Sequence, residues 1–77
     1  MKSVYKNPKE LATCLKDLVD LYLDNLMSEE KLKVRILKMI DANGSAIYDE
    51  EGHMPVKLHN ILGDERKEII DRIYSER

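Results

Sequence analysis

Residues 11–27, LATCLKDLVDLYLDNLM, constrain this chain more than any other stretch. Leu11, Leu15, Leu18, Tyr22 and Leu26 recur at steps of three and four residues, the period of an amphipathic α-helix. Cys14, Val19, Leu21 and Leu23 widen the apolar stripe on both sides. One neighbouring helix cannot cover so broad a face. The spacing therefore predicts a helix packed between two or more others, or partly against a second copy of the chain.

Length makes that cover costly to find. A chain of 77 residues is read as a single helical domain spanning residues 1–77, and a domain of that size hides only about 60–65% of the surface its unfolded chain exposes. With no Phe and no Trp, the core must come from Leu, Ile, Val and Met, helped by Tyr5, Tyr22, Tyr48 and Tyr74. Cores this thin are commonly supplemented by disulfides, metals or oligomerisation. Cys14 is the only cysteine, which rules out an internal disulfide.

The first helix has a clear start. Asn7 is a cap residue, Pro8 has no N–H to lose at the first helical position, and Glu10 is placed to reach back. Ahead of them, Val4 and Tyr5 are expected to fold against the helix, which should run from Pro8 to Asn25 or Leu26. Ser28 caps a second helix whose first turn carries Glu29 and Glu30, with Leu32, Ile36, Met39 and Ile40 on its buried side. The short connection implies an antiparallel hairpin.

Asn43-Gly44 is a natural stop, but Ile47 lies in phase with Ile36 and Ile40. Continuation through Gly44 to Tyr48, at about 1 kcal/mol for the glycine, is the expectation here. After an exposed turn at residues 49–52, Pro55 opens a short third helix that Gly63 ends, and Asp64 caps a fourth. The fourth helix buries Ile69, Ile70, Ile73 and Tyr74, with the last three residues frayed. The expected fold is thus all-α: a small bundle of four helices, made of a long antiparallel helical hairpin and two shorter C-terminal helices.

Tyr5-Lys6-Asn7-Pro8-Lys9-Glu10-Leu11, Ile47-Tyr48, Pro55, Lys57-Leu58, Ile61-Leu62-Gly63 and Arg66 resemble a family of short, uncharacterised bacterial proteins of about this length. The resemblance spans nearly the whole chain and rests on capping and packing residues. It implies no activity.

No chemical signature stands above background. Asp41, Asn43, Ser45 and Asp49 match oxygen positions of a calcium loop, but its sixth place, which needs glycine, holds Ala46, and its twelfth, which needs a bidentate glutamate, holds Gly52. His53 and His59 are the only imidazoles, and Cys14 lies on the apolar stripe of a different helix, so no zinc spacing emerges. Three glycines form no phosphate loop, and Cys14 reads as a small hydrophobe. An enzyme is not expected, nor is a cofactor, a metal or a catalytic residue.

Charge is more ordered than the net value of −2 suggests. Glu10, Asp17, Asp20 and Asp24 fall along one side of the first helix, and Lys31, Arg35 and Lys38 along the second. The reading is a non-enzymatic protein–protein interaction or regulatory module that self-associates as a homodimer, with Asp17, Asp20, Asp24, Val19 and Leu23 as partner-binding residues. The alternative is a small helix–turn–helix-like nucleic-acid-binding regulator, with Lys31, Arg35 and Lys38 on phosphates. That alternative is the weaker, because the segment 53–77 is balanced at five basic against five acidic residues. No window approaches a membrane span or a signal sequence, and the lone thiol fits a cytoplasmic location.

Overall fold

The computed structural model describes residues 7–76. It contains three α-helices, α1 (Pro8–Leu23), α2 (Glu29–Asn43) and α3 (Val56–Glu76), with a single 3-10 turn, Gly44–Ala46, directly after α2. The packing of Val4 and Tyr5 lies outside the described residues.

The first helix starts as its sequence requires. Asn7 is extended and its side chain accepts from the Lys9 N–H at 2.9 Å, with Pro8 at the first helical position. The helix stops two to three residues earlier than its apolar period suggests. Asn25 takes a left-handed φ of 62°, the Asn25 N–H bonds to the Tyr22 carbonyl, and the Leu26 N–H bonds to the Leu21 carbonyl. This paired closure satisfies carbonyls that the helix end would orphan, and asparagine tolerates the conformation better than any residue except glycine. Leu26 consequently leaves the stripe and is 74% exposed.

Coverage of α1 comes mainly from α3, with α2 contributing a smaller contact. The hairpin of α1 and α2 is therefore not the organising unit. Leu11, Leu15 and Leu18 form the expected seam, while Ala12 and Val19, both fully buried, form a second seam beside it. Leu32, Ile36, Met39 and Ile40 of α2 and Leu58, Leu62, Ile70 and Ile73 of α3 complete the core. The Cα radius of gyration is 11.3 Å, against about 11.5 Å expected for a fully packed domain of this length.

The second helix does not continue through Gly44. Its α-helical hydrogen bonding ends at Asn43, because Gly44 adopts φ 52° and ψ −122°. The tighter 3-10 turn that follows, with N–H groups of Ile47 and Tyr48 both aimed at the Gly44 carbonyl, still delivers Ile47 and Tyr48 into the core. The in-phase position of Ile47 thus reflected burial but not an unbroken helix.

The four-helix bundle is corrected to three helices. Residues 56–76 run as one element in which only Gly63, at φ 81° and ψ 165°, departs from helical geometry. A separate helix needs a cap and a connecting turn. Here a single glycine bends the chain and Asp64 resumes the helix at once, so Leu58 and Leu62 before the bend and Ile70 and Ile73 after it share one core. The end does not fray at Ser75 either: α3 runs through Glu76, with the Ser75 hydroxyl donating to the Asp71 carbonyl and Lys33 pairing with Glu76 at 3.2 Å.

Gly63 sits in a backbone region that is essentially glycine-only, and a Cβ there would meet nothing within 4 Å. The cost of Gly63→Ala is then backbone strain alone, about 1–3 kcal/mol, which should lower the melting temperature of a domain this small by several degrees. Thermal unfolding followed by circular dichroism is the measurement; an unchanged midpoint would mean that the bend is not required.

Candidate functional site

The acidic side of α1 is split by the fold. Asp20 turns toward α3, where its carboxylate accepts from Arg66 Nε at 2.8 Å and lies 3.4 Å from Lys16 Nζ. The Arg66 hydrogen bond, helped by Lys16 and opposed by burial, holds Asp20 below the usual carboxylate range. Arg66 Nη1 also donates to the carbonyl of Leu62, the residue before the bend, so one side chain ties the bend to α1. Val19 is completely buried. Asp17 and Asp24 stay exposed, as does Leu23 at 41%.

On the C-terminal half of α1, Asp17 and Leu21 stay outside and, with the C-cap Asp24, make one stripe at steps of four and three; Leu23 is exposed on a different side of the helix, and Leu26 lies in the turn beyond it. On α2, Lys31, Arg35 and Lys38 are all exposed, and Val34, 65% exposed, lies among them. Sequence periodicity assigned Leu21, Leu23 and Leu26 to the buried face and did not single out Val34. Leu26 is outside because the chain leaves the helix at Asn25, and the exposure of Leu21 and Leu23 is decided by where the packed neighbours end.

A second cluster was not anticipated. Tyr48 and Tyr74 stack with ring centroids 4.0 Å apart and planes 10° from parallel. The Tyr48 hydroxyl donates to Asp71 Oδ1, and Lys67 Nζ donates to Asp71 Oδ2 at 2.6 Å. Burial, then the Asp71 hydrogen bond and charge, push the Tyr48 phenol far above its ordinary range, so it stays protonated. Together with Gly52, His53, Met54 and Ser75 these residues line an open cleft of about 450 Å³. The Asp71 carboxylate is engaged at both oxygens, by the Tyr48 phenol and by Lys67. The cluster fastens the segment after α2 to α3. Of its contacts only Lys67–Asp71, four residues apart on a helix, was legible from spacing.

The acidic turn at 49–52 closes on itself. Asp49 Oδ1 accepts from the N–H groups of Glu51 and His53, each at 2.9 Å, and these bonds, His53 first, hold its carboxyl below the ordinary range. The oxygen that matched a calcium ligand thus caps its own turn. Among the described residues no three His, Cys, Asp or Glu side chains gather as a metal-holding group. His59 Nε2 lies 2.6 Å from Asp64 Oδ1 across the Gly63 bend. The bend itself is a one-residue corner, whereas a DNA-binding helix–turn–helix joins its helices by a turn of about three to four residues. No described helix is long and apolar enough to cross a membrane.

A protein-family model described as a conserved hypothetical protein matches residues 2–75. No curated protein and no solved structure matches the chain.

Two outcomes follow from the polar contacts. Asp20 has a folded pKa below its ordinary value of 3.8, so its stabilising effect is present above that value and is lost as pH falls through the lower, folded one. Asp20→Asn should therefore be less stable than the native chain at neutral pH, by less than about 1 kcal/mol because the pair is partly solvated, and the two should converge in acid; parallel denaturant titrations across pH measure this. Tyr48→Phe, which leaves Asp71 without its phenol donor, should lose about 1–2 kcal/mol in the same assay at neutral pH.

Proposed function

The chain belongs to this family of short, uncharacterised proteins of unknown function, and from that premise we propose that it is a non-enzymatic protein-interaction module that self-associates. The observation that carries the reading is the exposed apolar end of α1: Leu21 at 37%, Leu23 at 41% and Leu26 at 74% lie within six residues, beside the exposed carboxylates of Asp17 and Asp24. Scattered single leucines on a surface need no explanation, but Leu21 and Leu26, joined by the bond from the Leu26 N–H to the Leu21 carbonyl, sit together at one helix end, and exposed apolar surface of this kind marks contact sites.

The thinness of the core supports the same reading. A domain of this size without Phe, Trp or a disulfide gains from burying further apolar surface against a partner. A cytoplasmic setting, with Cys14 as a reduced thiol, belongs to this proposal.

Sedimentation equilibrium across the micromolar range is the test. The native chain should show a concentration-dependent dimer, and replacing Leu21 and Val34 together with serine should yield a monomer with an unchanged helical spectrum, since both side chains are exposed. A native chain that stays monomeric throughout would defeat the proposal.

A further inference from the structure

We propose that the second copy docks by laying the acidic stripe of α1 against the basic stripe of α2, so that Asp17, Leu21 and Asp24 of one protomer meet Lys38, Val34 and Lys31 of the other. This rests on the self-association reading and supplies its contact pairs. Three observations carry it. Both stripes are exposed: Asp17, Leu21 and Asp24 on α1, and Lys31, Val34 and Lys38 on α2. Their charges are opposite, two carboxylates against two ammonium groups, so the contact neutralises itself within a chain of net charge −2.

The third observation is the register. On α1 the order is acid, four residues, Leu21, three residues, acid; on α2 it is base, three residues, Val34, four residues, base. Read antiparallel, the two patterns coincide: Asp17 falls opposite Lys38, Leu21 opposite Val34, and Asp24 opposite Lys31. Each stripe covers seven residue steps, roughly 10 Å along the chain at the helical rise, so all three pairs can form along one line of contact. Asp20 takes no part, since Arg66 and Lys16 already hold it.

In a two-fold dimer each contact occurs twice, because α1 of either copy meets α2 of the other. The two-fold also dictates which variants should fail and which should recover. A chain carrying Asp17→Lys and Asp24→Lys sets Lys against Lys in its own homodimer, and a chain carrying Lys31→Glu and Lys38→Glu sets carboxylate against carboxylate. Mixed together, the two variants restore an opposite-charge contact at both interfaces.

The experiment is sedimentation equilibrium on the full chain, its two charge-reversed variants and their equimolar mixture. Each variant alone should dimerise more than about tenfold more weakly than the native chain, and the mixture should regain the native level as a heterodimer. Raising salt from about 0.05 M to about 0.5 M should weaken the native dimer, because exposed ion pairs are screened. All four substituted side chains are exposed, and helical circular dichroism checks that folding is intact; if a reversal unfolds the chain, Asp17→Asn with Asp24→Asn gives the same readout with a smaller loss.

A native dimer that survives both reversals, or a mixture that fails to regain it, overturns this pairing while self-association stands. A native monomer overturns both. Binding of duplex DNA that is abolished by Lys31→Glu with Lys38→Glu, with the dimer unaffected, would reassign the basic stripe to nucleic acid and overturn the pairing as well.

Discussion

The packing of α3 across α1 is the contact on which the rest of this structure depends. The first helix carries two adjacent apolar seams, Leu11–Leu15–Leu18 and Ala12–Val19, and all five residues are buried. Both α3 and, to a lesser extent, α2 pack on α1 and together cover the two seams. The bend at Gly63 lets a single C-terminal element place Leu62 before the corner and Ile70 and Ile73 after it within the same core. Arg66 then joins corner to cover: its guanidinium donates both to the Leu62 carbonyl and to Asp20 of α1.

The segment after α2 is fastened to this pair by packing and by polar contacts to α3. It is held by one fully buried aliphatic residue, Ile47, and by Tyr48, whose ring stacks on Tyr74 while its hydroxyl binds Asp71. In a chain without Phe or Trp, this stacked tyrosine pair supplies the large flat surface that a bigger aromatic core provides elsewhere. Asp49 completes the closure by capping its own turn. Each of these groups is committed to holding the fold.

The outward side of α1 and α2 presents carboxylates around Leu21 on one and cations around Val34 on the other, with Leu26 exposed in the turn between them. Surface charge of this kind contributes little to the stability of a monomer. It is well suited to setting the register and partner choice of an association.

Much of this was legible in the sequence. Helical character, the caps at Asn7 and Ser28, the buried stripe of α2 and the apolar seam of α1 all follow from local chemistry: side chains that accept backbone N–H groups at known offsets, and apolar residues at the helical period. The failures were equally local in origin. Glycine signals a departure from helix geometry without saying how far the chain departs, so Gly44 was read as tolerated and Gly63 as a full stop, when the first ends an α-helix and the second only bends one. Asp20 and Asp17 look alike in sequence, yet an arginine forty-six positions away claims the first and leaves the second in water. Leu15 and Leu23 are equally apolar; the reach of α3 alone decides that one is core and the other surface. Sequence determined the helical character of each segment and where α1 and α2 begin, because those choices are settled within a turn or two of the backbone. Only the tertiary structure decided which charges and leucines remain outside, because that depends on where a distant helix comes to rest.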